Sequence, residues 1–153
     1  DKNFKEVKKM IDMISEIRSF KNELKVSPGS FIDISIEKVK NKFFFKENDI
    51  ILKRLGRINN FYNKNINNPA ATFVISGDLF KIYFDQTIDL NLIKENLIKR
   101  QNKCEEELNK VSQRLANKNF VDKAPKNIVD QEKNNYNDLK NDIQKITLTI
   151  ESL

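Results

Sequence analysis

The chain has 153 residues, 39% hydrophobic and 33% charged, with 28 Lys and Arg against 22 Asp and Glu and a net charge of +6. That length allows one domain, or a small domain with an extension, and the apolar content is too high for a chain disordered throughout. With no histidine and one cysteine, an internal disulfide, a Cys/His zinc cluster, a histidine general base and a Ser-His-Asp triad are all excluded.

The positive balance suits a polyanion, either nucleic acid or an acidic membrane surface, or else reflects a chain rich in Lys, Asn, Ile and Phe. No apolar run approaches the ~18 residues that cross a bilayer, and no secretory signal is present. The expectation is a soluble, cytoplasmic protein. Position 1 is Asp and the helical pattern begins at once, so a segment of a longer chain is expected.

Phe4, Val7, Ile11, Ile14 and Arg18 follow 3/4 spacing, widened by Met10, Met13, Ile17 and Phe20, which predicts an amphipathic helix from Lys2 to about Glu23. Its broad stripe should meet more than one neighbour. Pro28 and Gly29 end it. Ile32, Ile34 and Ile36 then alternate with Asp33, Ser35 and Glu37, the period of a half-buried strand. Beyond a lysine-rich loop, Ile51, Leu55, Ile58 and Tyr62 fall on one stripe and predict a helix from about Lys46 to Asn60, mildly weakened by Gly56. Asn67, Asn68 and Pro69 break the pattern. ATFVIS and LFKIYFD, separated by Gly77 and Asp78, predict a β-hairpin. The first strand would reach the second through a right-handed crossover and lie parallel to it if adjacent. No glycine-rich phosphate loop occurs.

From Asp89 the period becomes heptad. Leu90, Leu97, Cys104 and Val111 interleave with Lys94, Gln101, Leu108 and Leu115; later, Val129, Tyr136, Ile143 and Ile150 interleave with Glu132, Leu139, Ile146 and Leu153. Laid antiparallel, Leu115 meets Val129, Leu108 meets Tyr136, Cys104 meets Leu139, Leu97 meets Ile146 and Leu90 meets Leu153. Two such helices of about 26 residues make a rod on the order of 40 Å long. Cys104 is expected as a small buried hydrophobe rather than a nucleophile. Asp89 can cap the first helix, Asn117 or Asn119 can close it in the left-handed conformation, and Asn127 with Asp130 can form a capping box for the second.

Arg100, Lys103, Lys110 and Arg114 occupy c and g positions beside the seam, with Lys99 next to them and Lys118, Lys123 and Lys126 continuing to the turn; Glu105, Glu106 and Glu107 interrupt the stripe. Such a row is either an ordinary solvated face or a track for a phosphate backbone. Phe120, at the turn among lysines, either packs back on the hairpin or offers a stacking surface to an unstacked base.

The stretch from Ile88 to Leu139 resembles the C-terminal coiled-coil arm of valyl-tRNA synthetases. The matching motif runs through Arg114, Leu115, Asn117, Phe120, Val121, Lys123, Ala124, Pro125, Val129 and Glu132. IRSFKNELKVSPG, Ile17 to Gly29, is similar to the end of the anticodon-binding helical domain in the valine, isoleucine and leucine enzymes. There Lys21 replaces a usual second arginine, and lysine lacks the bidentate fork. The patterns predict an α+β fold: a small three-stranded mixed sheet with helices, followed by a long antiparallel coiled-coil hairpin. With the resemblance, the chain divides into a terminal helix of the anticodon-binding domain (1–25), an α/β base (26–87) and the arm (88–153).

The implied function is tRNA binding. The arm would contact the corner of tRNA(Val), where the D and T loops meet, through Lys99, Arg100, Lys103, Lys110, Arg114, Lys118, Phe120, Lys123 and Lys126. It would orient the tRNA for ATP-dependent aminoacylation by upstream catalytic and editing domains of a monomer. The adenylate-forming HIGH-type and KMSKS-type motifs are missing from this stretch. No catalytic residue, cofactor or metal is therefore expected here, with ATP and Mg used elsewhere in the parent. The competing reading is a coiled-coil module docking an acidic or apolar protein surface, which exposed apolar residues such as Leu148 would favour.

Overall fold

A computed structural model describes residues 1–66 and 70–153, so the predicted break at Asn67 to Pro69 lies outside the described residues. The chain divides into two compact units, Asp1–Ile93 with Ser152–Leu153, and Lys94–Glu151.

The first unit opens with helix α1, Lys2–Glu23, as its apolar spacing predicts; the Asp1 side chain caps it by accepting from the Asn3 N–H. Met13, Ile14 and Ile17 are buried while Phe4, Val7 and Ile11 remain exposed. The helix closes in a Schellman turn, with Val26 N–H donating to Lys21 O at 2.9 Å, Lys25 N–H to Asn22 O at 3.1 Å, and Lys25 at φ 57°. Strand β1, Ile32–Ser35, is shorter than its alternating pattern. Helices α2, Lys42–Glu47, and α3, Asp49–Gly56, follow, then strands β2, Ile58–Tyr62, β3, Ala70–Ile75, and β4, Asp78–Phe84.

The sheet has four strands rather than three, in the order β2-β1-β4-β3. The predicted helix from Lys46 to Asn60 is replaced by two shorter helices and a strand. Arg57 enters the left-handed region at φ 53°, its N–H closing on Lys53 O, and ends α3. The apparent stripe was a coincidence of spacing: Ile51 and Leu55 are exposed, whereas Leu52 and Gly56 are buried. Beyond Arg57 the backbone is extended and pairs parallel to β1, with Ile34 opposite Phe61. The crossover thus joins β1 to β2 rather than to β3, and β1 instead pairs antiparallel with β4. The β3–β4 turn uses Ser76 and Gly77, at φ 50° and 80°, one residue earlier than the sequence suggests.

Phenylalanines fill the core. Phe45 lies edge-on to Phe44 at 5.2 Å and within 5.7 Å of Phe80, which stacks on Phe73 at 5.3 Å. In the Phe43–Phe45 run Phe44 and Phe45 are buried and Phe43 faces solvent, because three consecutive helical residues sweep through more than half a turn and cannot all face the core.

The second unit is a helical hairpin. Helix α4, Leu90–Ala116, starts where Asp89 accepts from Leu92 N–H at 3.1 Å, as expected; helix α6, Lys126–Ser152, runs back. Of the sixteen predicted heptad positions, Lys94 alone is exposed, and Leu97, Val111, Val129 and Ile146 are buried. Gln101 donates to Thr147 Oγ1 at 2.7 Å, and Arg114 meets Glu132 at 3.2 Å; both contacts require antiparallel helices.

Candidate nucleic-acid interface

The turn is itself structured. A six-residue helix, α5, spans Lys118–Lys123, capped by the Asn117 side chain accepting from Asn119 N–H at 3.0 Å. Asn117 is extended, at φ −80° and ψ 108°, so it opens α5 rather than closing α4 in the left-handed conformation. Ala124 is held extended at ψ 150°, the conformation forced on a residue before proline. Pro125 then leads directly into α6, placing Asn127 inside its first turn, so the capping box with Asp130 does not form. Phe120 and Ala124 are half-buried and Val121 is exposed.

The lysines expected to face a polyanion do face solvent: Lys99, Lys103 and Lys110 on α4, Lys118 and Lys123 on α5, and Lys126 at the start of α6. The two arginines differ. Arg100 is half-buried and already engaged within the chain. Arg114 is about half exposed, and its Nε lies 3.2 Å from Glu132 Oε2 across the hairpin.

A groove of about 500 Å³ runs along this flank, lined by Glu107, Lys110, Val111 and Arg114 from α4 and by Asn135, Asp138, Leu139 and Asp142 from α6. Reading α4 alone misses the α6 carboxylates beside its basic row. The free positive charge is therefore concentrated on the outward lysines and on the turn. Cys104 is half-buried; burial raises its thiol pKa, and Asp142 and Glu107 raise it further. A thiol held protonated is a poor nucleophile, in keeping with its seam position.

Among the described residues, no group of His, Cys, Asp or Glu is arranged to hold a metal ion, and no helix is long and apolar enough to cross a membrane. The chemistry available is electrostatic and positional: mobile ammonium groups on a rigid helical support, with an aromatic residue at its turn.

Residues 89–153 match the family model described as the valyl tRNA synthetase tRNA binding arm. The whole chain aligns with a valine–tRNA ligase of Pelagibacter ubique at 64% identity. The chain belongs to the valyl-tRNA synthetase family. Across 99% of its length it is 32% identical to the valine–tRNA ligase of Borrelia garinii, and across 94% it is 29% identical to that of Bartonella quintana. It spans only 16–18% of these three relatives. The α4–α6 hairpin is this family's arm, and the motif residues from Arg114 to Glu132 are the ones that build its turn.

Proposed function

We propose that this chain is the tRNA-binding C-terminal portion of a valine–tRNA ligase, whose arm holds the corner of tRNA(Val) and orients it for aminoacylation by domains elsewhere in the same protein. The observation that carries this reading is the family match over residues 89–153, on the same hairpin that presents Lys99, Lys103, Lys110, Lys118, Lys123 and Lys126 to solvent. Ammonium groups on long stems follow a phosphate backbone without demanding one sequence, so the arm reads shape and charge. Phe120, half-buried in α5, supports the turn from within and retains a partial surface for a base at the tRNA corner. Arg100 and Arg114, both engaged within the chain, act mainly through the helical frame.

On this reading residues 1–25 are the last helix of an anticodon-binding domain, 26–87 a base and 88–153 the arm. The exposed Phe4, Val7 and Ile11 support a neighbour for the outer face of α1. The portion has no catalytic role; ATP and Mg are used by the other domains of a cytoplasmic monomer.

The test is tRNA(Val) binding by the full-length protein carrying Lys103→Glu and Lys110→Glu, titrated against salt. Affinity at low salt should fall, and the dependence of log K on log salt should become shallower by about 2, one unit per lost phosphate contact. Wild-type affinity with an unchanged slope would remove the arm from the interface.

A further inference from the structure

The arm carries the smaller share of the chain's surplus charge. Residues 1–89 hold 16 Lys and Arg against 12 Asp and Glu, while residues 90–153 hold 12 against 10. Part of the surplus converges where α1, the end of α3 and the start of β1 meet. Arg18 and Lys21 are three residues apart on one face of α1. Arg57 caps α3, and its backbone oxygen accepts from Ile32 N–H at 3.0 Å, which brings it beside Phe31. Its guanidinium carbon lies 5.5 Å from the centre of the Phe31 ring, and that ring is 46% exposed.

Beneath them Lys21 is buried, its ammonium donating to the carbonyls of Ser30 and Pro28. Arg18 and Arg57 each follow a residue of the α1–α3 contact, where a Cβ at Gly56 would lie 3.8 Å from Ile17 Cδ1, and both act on the Lys21 charge in the same direction as burial. None of these three cations belongs to an ion pair among the described residues. Like charges gathered without a carboxylate repel one another, and an anion placed among them would relieve that repulsion. Arg57 also holds the left-handed conformation, where glycine is the usual residue, with a glycine available one position earlier.

We propose that Arg18, Arg57 and Phe31 form a second RNA contact, separate from the arm, in which the two guanidinium groups hold a phosphate and the exposed ring stacks on an unstacked base. It rests on the reading of tRNA as the partner. Paired arginines beside an exposed aromatic match a nucleotide better than an acidic protein surface: guanidinium forks take phosphate oxygens in two hydrogen bonds, and any base can stack on the ring.

The local geometry permits a clean test in the full-length protein. Arg57→Gly removes the charge while supplying the residue the left-handed cap favours, so the melting temperature should hold or rise. Arg18→Gln and Phe31→Ala change exposed side chains. Phe31→Ala should weaken tRNA(Val) binding by about tenfold, the scale of one lost base stack. Arg57→Gly and Arg18→Gln should each weaken binding, and together they should make the salt slope shallower by about 1, for the one phosphate they share. Wild-type binding by all three, alongside loss in the Lys103→Glu/Lys110→Glu protein, would overturn this second contact and leave the arm reading standing. Wild-type binding by every variant, arm included, would overturn tRNA as the partner and this contact with it.

Discussion

Arg114 Nε lies 3.2 Å from Glu132 Oε2, joining the last turn of α4 to the second turn of α6 just below the hairpin turn. The Glu132 side chain is only 15% exposed, and Oε2 is fully buried without a hydrogen bond of good geometry, so the contact is ionic rather than directional. Arg114 is then the main compensation for a carboxylate held away from water.

Removing the arginine should cost more than removing the acid. Arg114→Gln is expected to destabilise the hairpin by about 1–3 kcal/mol by leaving a buried charge unpaired, and adding Glu132→Gln should recover part of that loss. A double-mutant cycle by denaturant unfolding should return a coupling of about 1 kcal/mol. Arg114→Gln should also weaken tRNA binding with little change in salt slope, whereas Lys110→Gln should reduce the slope by about 1. Equal slopes for the two variants would place both cations on phosphate.

Gly56 decides between two effects of opposite sign. Helix propensity favours alanine over glycine by about 1 kcal/mol inside a helix. A Cβ at Gly56, however, would sit 2.8 Å from Ile58 Cδ1 and 3.2 Å from its Cγ1, and Ile58 is 2% exposed in the core. Packing should win, so Gly56→Ala is expected to destabilise by about 1–3 kcal/mol, read as a lower denaturant midpoint with an unchanged m-value. A raised midpoint would mean that Ile58 repacks freely.

The arm was legible because its signal repeats: Leu97 and Val111 face Val129 and Ile146 in a seam written into both helices. β2 was not, because an arginine rather than a glycine takes the left-handed turn at position 57, and Ile58 happens to extend the spacing of Ile51 and Leu55. α5 is too short to show a period. The lysines of the candidate interface could be picked from α4 by heptad position. Asp138 and Asp142, which share their groove, reach it from the opposite helix, so only the pairing register places them. Arg18, Phe31 and Arg57 come from three separate segments, and no local pattern links them.

The seam predicts how Cys104 behaves. Burial, then Asp142 and Glu107, raise its pKa above the ordinary thiol value of 9.0, against a smaller opposing effect of Arg100 and Lys103. Alkylation near neutral pH should be slow in the folded protein and accelerate on unfolding, measured by iodoacetamide labelling across a denaturant series. Labelling at the free-thiol rate without denaturant would mean that the seam opens at Cys104.

Lys21 gives the pH prediction. Burial first, then Arg57 and Arg18, lower its pKa below the ordinary lysine value of 10.5. The unfolded chain therefore binds more protons at this site between the two values, and stability rises with pH through that window. Below it, folding bears the full cost of a buried ammonium; as pH approaches 10.5 that cost is relieved, and the neutral amine still donates to Ser30 and Pro28. Lys21→Met has no such titration. The stability of wild type minus that of Lys21→Met, from denaturant unfolding, should shift in favour of wild type as pH rises toward 10.5. A flat difference across that range would show that the charge of Lys21 is solvated in the folded state despite its buried stem.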